Sequence, residues 1–210
     1  MVILTYVSEG SEDLVKEICH TIKSYPHKPH AHACRVYSGT LKGPRVLIRD
    51  LLEWSERKPR IDILVNNAGV GSSRSLADLT VEDYNTIYNL NVRGPLLLTQ
   101  AVLPYLNSYG RIVNIGSGQE LGGNGTTVNC VKPGPVRSDT LDNISKDLVE
   151  LQKTLTAVEN RVGTVSEVAN IVASLAGQDG AWITSQTIYV SGLASQAPCK
   201  TNPHNLTMLT

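Results

Sequence analysis

The chain has no excess of either charge: lysine plus arginine number 19, and so do aspartate plus glutamate. No one-sided field therefore favours nucleic acid, an anionic membrane or an acidic substrate. No stretch approaches the ~18 consecutive apolar residues of a membrane span, and Met1 to Val7 lacks the basic start and cleavage region of a signal peptide, so a soluble, cytoplasmic protein is expected. The cysteines, Cys19, Cys34, Cys130 and Cys199, stand far apart with no Cys-x-x-Cys pair. Reduced thiols are their simplest reading. No Gly-x-Ser-x-Gly elbow is present, which removes support for an α/β-type hydrolase, and there are no internal repeats.

What the 210 residues do contain is alternation. Val2 to Val7 reads as a β-branched strand, and Leu14, Val15, Ile18 and Ile22 mark one face of a helix over Glu12 to Ile22, capped by Ser11. A short strand over Ala31 to Val36, an amphipathic helix over Gly43 to Glu56 and an apolar strand over Ile61 to Val65 follow. Thr80 opens a long helix through Leu106, with Thr80-x-x-Asp83 resembling a capping box and Pro95 predicting a kink or break. Strands over Arg111 to Ile115 and Thr126 to Val131, helices over Lys146 to Leu155 and Ser166 to Ala176, and a last strand over Gln186 to Val190 complete the pattern. Helices alternating with strands predict an α/β fold, a Rossmann-like, doubly wound, mostly parallel sheet over residues 1–192. Residues 193–210 have no periodicity and read as a disordered tail.

One connection breaks the pattern. Strands 111–115 and 126–131 are joined by about ten residues rich in glycine, whereas neighbouring parallel strands need a crossover of about a dozen or more, usually a helix. The unit reads as one whose crossover helix is missing, leaving an apolar sheet face bare.

Four segments then carry a resemblance. Asp62-Ile63-Leu64-Val65-Asn66-Asn67-Ala68-Gly69-Val70, Leu90-Asn91-Val92-Arg93-Gly94, Gly110 to Ser117, and Pro133-Gly134-Pro135-Val136 match, in order and spacing, the successive signatures of short-chain dehydrogenases/reductases. The flavour is similar to fungal polyketide-type ketoreductases. The resemblance covers roughly residues 2 to 192 and implies NADP(H)-dependent carbonyl or alcohol oxidoreduction on a small substrate. It implies Ser117 as hydrogen-bond donor to the substrate carbonyl and Asn91 as holder of a relay water. Asn67, Ala68 and Gly69 would lie against the dinucleotide, and Pro133, Gly134 and Val136 would position the nicotinamide. Ser8 falls where NAD users carry an acidic residue on the ribose, which leans toward NADP.

Two hallmarks of the family have no counterpart. The proton donor is a tyrosine whose pKa is lowered by a lysine four residues on. The residues four after the tyrosines here are Gly10, Pro29, Leu41, Tyr88, Val92, Tyr109, Val113 and Leu193. The Thr-Gly-x-x-x-Gly-x-Gly phosphate loop is also absent, because Met1 to Tyr6 aligns with the family's second strand. An incomplete, catalytically impaired reductase is therefore expected. The alternatives are a pseudoenzyme that pairs with a full-length relative, or a cofactor-independent isomerase or cyclase. Without its first strand the sheet would be left with two edges that meet or stay open, favouring low stability or oligomerisation. His27, His30, His32 and Cys34 imitate a metal cluster, but their flanking prolines favour an edge loop with solvated histidines.

Overall fold

β1 (Val2–Tyr6) pairs in parallel with β2 (Ala31–Arg35), and the two form a sheet of their own. A second sheet has the order β3-β4-β5-β6, comprising β3 (Ile61–Asn66), β4 (Leu106–Ile115), β5 (Thr127–Pro133) and β6 (Thr187–Val190), every pair parallel. This computed structural model describes residues 1–55, 59–72, 74–116, 124–138, 141 and 145–192. The strand-by-strand expectation of a Rossmann-like sheet holds, except that the sheet is divided, with β1 and β3 both left as open edges among the described residues.

Period-two alternation sends side chains of the small sheet to two faces. Leu4, Tyr6, Ala31 and Ala33 meet Val15 and Cys19 of α1 (Glu12–Lys23). On the other face Ile3 and Cys34 meet Val46 and Leu47 of α2 (Gly43–Trp54) and Leu98 of α4 (Gly94–Val102). In the large sheet Val113 and Val131 pack under Leu175 of α6 (Val165–Ala176), with Val168, Ile171 and Val172 around them. α4 joins the two sheets, because Leu98 enters the core of the small one while the neighbouring Thr99 hydroxyl receives a long hydrogen bond from Asn66 of β3 at 3.4 Å.

Several expectations are corrected. Ser11 does not cap α1 with its side chain. It closes a 3-10 turn over Glu9–Ser11, and its Oγ meets that of Ser8 at 2.7 Å. The long helix from Thr80 to Leu106 is divided into α3 (Val81–Tyr88), a π-helical turn (Asn89–Arg93), α4 and a 3-10 turn (Leu103–Tyr105). Pro95 sits in the first turn of α4 directly after the π-helical turn, so the irregularity expected at the proline falls just before it. β4 starts at Leu106 rather than Arg111. Its partner register jumps from Ile61↔Leu106 to Ile63↔Arg111, so residues 107–110 bulge out, with Tyr109 at φ 62°. The Thr80 capping box is present, and a second one at Thr164 and Glu167 starts α6 one residue earlier than expected. α5 (Lys146–Thr154) is as read.

The short β4–β5 link does not prevent pairing: Arg111↔Thr127 through Ile115↔Val131 are in parallel register. A chain of about eleven residues reaches ~36 Å when extended, ample to return along a strand of ~17 Å. Nor is a face left bare there, since Ile112, Val128 and Cys130, which share the face opposite α6, are 1%, 2% and 1% exposed. Exposed aliphatic strand residues lie elsewhere, among them Ile63 and Val65 of β3 and Val2 of β1. Residue Glu56, most of the link and the tail 193–210 lie outside the described residues.

Candidate functional site

β3 ends at Asn66, whose amide nitrogen donates to Asn114 Oδ1 of β4 at 2.8 Å. The two asparagines are register partners, so the carboxamides tie the strands together where the ladder ends. Asn66 Oδ1 is buried without a hydrogen-bond partner. Beyond it Asn67, Ala68 and Gly69 are exposed at the carboxyl end of the sheet. A Cβ on Gly69 would lie 3.4 Å from Asn91 Oδ1, so the small residue there accommodates the asparagine.

Asn91 stands in the π-helical turn and faces that loop. Its Oδ1 accepts the Val70 N–H at 2.9 Å, and its Nδ2 donates to the Val70 carbonyl at 2.7 Å. This two-way bond holds the loop after β3 against the α3–α4 connection, and it leaves Asn91 one N–H for a further acceptor. Nearby, Arg93 donates to the Gly39 carbonyl at 2.5 Å, fixing the same turn to the loop after β2.

The segment expected to position a nicotinamide leaves β5 at Pro133. The Gly134 N–H donates to the Val190 carbonyl at 3.0 Å, and Val136 forms an isolated bridge with Gly163. The Gly163 N–H donates to the Pro135 carbonyl, and the Arg137 N–H to the Gly163 carbonyl, each at 2.9 Å. Glu167 anchors this loop from α6. It accepts from the Thr164 N–H at 2.7 Å and from Arg161 at 2.7 and 3.0 Å, and the Arg161 guanidinium together with the Thr164 donors holds its carboxyl down to about 2. The sequence reading passed over Glu167, although Thr164-x-x-Glu167 is the pattern of a capping box.

Ser117 lies outside the described residues. Ser8 is placed at the end of β1, its hydroxyl shared with Ser11. His32 corrects the expectation of solvated histidines: it is a β2 residue whose Nε2 meets Asp50 Oδ2 at 2.8 Å and whose ring stacks on Trp54 at 5.0 Å. Asp50 also accepts from Cys34, and burial together with that carboxylate pushes the Cys34 thiol up to about 12, an unreactive thiol.

The residues on hand fit a dinucleotide only at one end. Small residues after β3, together with Asn91 and the Pro133 to Val136 loop, suit a ring near the backbone. A diphosphate finds no counterpart among the described residues. The helix next after β1, α1, carries Glu12 and Asp13 in its first turn, behind Glu9, so its N-terminus repels phosphate, and by the resemblance it follows the family's second strand rather than the strand that leads into the phosphate loop.

Comparisons with known proteins identify the family. Residues 14–125 match the short chain dehydrogenase family, and residues 116–192 match the family described as Enoyl-(Acyl carrier protein) reductase. The chain is similar to Dehydrogenase OXI1 of Cochliobolus heterostrophus, 31% identical over 91% of this chain and 95% of that protein. It is 28% identical to Elsinochrome reductase 1 of Elsinoe fawcettii over 64% of this chain, spanning 65% of that protein's length. Among solved structures, a blue fluorescent protein from a metagenomic library, in complex with NADPH, superposes with a TM-score of 0.79 at 27% identity, covering 90% of this chain and 85% of that one. The chain belongs to the short-chain dehydrogenases/reductases.

Proposed function

We propose that this chain descends from NADP(H)-dependent carbonyl and alcohol reductases but is incomplete and impaired in hydride transfer. One observation carries the reading: no tyrosine in the sequence is followed four residues later by lysine. Without that pair no phenol is held near neutrality to give or take the proton that must accompany hydride. The remaining residues still suit a ring-shaped ligand: Asn91 has one unspent N–H, and Asn67, Ala68 and Gly69 are open to solvent. Cofactor preference, should binding occur, leans to NADP(H), because Ser8 offers no carboxylate to a ribose.

Titrating the purified chain with NADPH tests this reading, with cofactor fluorescence and the reduction of a panel of small ketones followed together. The expected result is no turnover above the buffer rate and weak or absent fluorescence change, while circular dichroism reports a folded α/β protein. Reduction that depends on enzyme concentration overturns it.

A second reading is supported by the open edges of β1 and β3: a non-catalytic chain that pairs with a full-length relative. Co-purification of the two chains from their natural source is its test.

A further inference from the structure

The chain is neutral as a whole, yet from Ile18 to Arg49 it carries six lysines and arginines, four histidines and no acidic residue. Charge is segregated locally. The fold gathers part of this stretch around a cavity of about 390 Å³ between α1 and the outer edge of β2. Lys16, His20 and Lys23, which share one face of α1, line one side, and Ala31, His32 and Ala33 line the other. The turn over 24–30 joins Lys23 to Ala31 and adds the exposed His27, Lys28 and His30 beside them. No acidic residue belongs to the lining.

Two of the lining groups are uncommitted. Lys16 is paired with Glu12 at 2.5 Å, but His20 and Lys23 have no side-chain hydrogen bond or ion pair among the described residues. The end of α1 is capped without them: the Ser24 N–H donates to the His20 and Thr21 carbonyls, the Ser24 hydroxyl to the Thr21 carbonyl, and the Tyr25 N–H to the Ile22 carbonyl. His32 is fixed by Asp50 at 2.8 Å and by the Trp54 ring at 5.0 Å, so the nearby carboxylate is already engaged. The main chain supplies a further donor. The Val2 N–H donates to the His30 carbonyl and the Val36 N–H to the Tyr6 carbonyl, so even-numbered residues of β2 carry the ladder to β1. The Ala33 N–H therefore points to the outer edge, which pairs with no strand among the described residues.

From these observations we infer that the cavity is a binding site for a phosphate group, separate from the carboxyl end of the sheet where open α/β folds take up dinucleotides. An ammonium, an imidazole and a main-chain N–H line it together, and the terminal oxygens of a phosphate accept hydrogen bonds from several directions while carrying more than one charge. A carboxylate, with one charge and two oxygens in a plane, matches fewer of these donors. The cavity is larger than a phosphate alone and has room for a sugar-sized substituent. The inference does not depend on the loss of hydride transfer, since it concerns α1 and the amino half of β2.

Isothermal titration calorimetry on the full chain at neutral pH and constant ionic strength tests it, with ribose 5-phosphate, inorganic phosphate, ribose and acetate as probes. Ribose 5-phosphate should bind with a Kd of ~1 mM or tighter, while ribose and acetate give no saturable heat. Lys23→Gln should weaken that binding by roughly tenfold, with the fold retained by circular dichroism. Lys42→Gln, in the same acid-free stretch but at the start of α2 and outside the lining, should change it by less than about twofold. Inorganic phosphate as tight as the ester supports the site with free phosphate as its occupant, and weaker inorganic phosphate supports it with an ester. No saturable heat from either phosphate, equal affinity for acetate or ribose, unchanged affinity in Lys23→Gln, or equal losses from Lys23→Gln and Lys42→Gln overturns the inference.

Discussion

Glu167 shows how far one exposed carboxylate can be committed. Four donors from Arg161 and Thr164 converge on it, and through Gly163 they hold the loop that carries Val136. Its folded-state pKa is depressed to about 2 from the ordinary 4.5. A depressed carboxyl stabilises the fold fully above its unfolded value and loses that contribution as pH falls toward the folded one. Glu167→Gln should therefore lower the urea midpoint at pH 7, and the gap from the parent should narrow as pH drops from about 4.5 toward about 2. A gap that stays constant over this range would show that the carboxylate charge has no part in the latch. Legibility at this scale was uneven. Asn66, Asn67 and Gly69 stood out because a strand must stop at such a sequence. The donors that gather on Glu167 include Arg161, whose approach depends on how the chain turns before α6.

Elements were readable where periodicity alone decides them, as in α1, α2 and the paired core of β5. They were misread where tertiary contacts intervene. The helix expected from Thr80 to Leu106, with a kink or break at Pro95, is interrupted just before that proline by a π-helical turn from which Asn91 reaches Val70 and Arg93 reaches Gly39. The end of β5 is set by a close approach of the opposite kind. A Cβ on Gly134 would lie 2.6 Å from Ser191 Cβ and 2.7 Å from its Cα, so the backbone itself would have to shift. Gly134→Ala should cost about 1–3 kcal/mol in urea unfolding and loosen β6. Gly10→Ala, where a Cβ meets nothing within 4 Å, should change stability little. Equal effects of the two substitutions would mean that the Gly134 contact is relieved without cost.

For the molecule as a whole, the division into two sheets governs stability. β4 and β5 have strand partners on both sides, and Ile112, Val113, Val128 and Val131 are at most 2% exposed. β1 is a terminal strand held by one neighbour and by α1. Native-state hydrogen exchange should show residues 2–6 and 31–35 opening at lower free energy than residues 111–115 and 127–131, with rates apart by about tenfold or more. Identical opening free energies would mean that α2 and α4 couple the sheets into one cooperative unit. The expectation of a bare face at the shortened crossover was misplaced: Ile112, Val128 and Cys130 are covered, and the aliphatic strand side chains in contact with solvent include Ile63 and Val65 of β3 and Val2 at the start of β1.

By itself the order of apolar runs, glycines and asparagines determined the α/β class, the parallel strands and the family, because those properties follow from local period and from the residues a strand end tolerates. It also determined that no tyrosine is followed four residues later by lysine. Only the tertiary structure decided that the strands form two sheets, that a short link suffices between β4 and β5, and that Asn91 is bonded to Val70. Those outcomes depend on which surfaces meet across the chain, and hydrophobic burial is indifferent to sequence separation while local pattern is not.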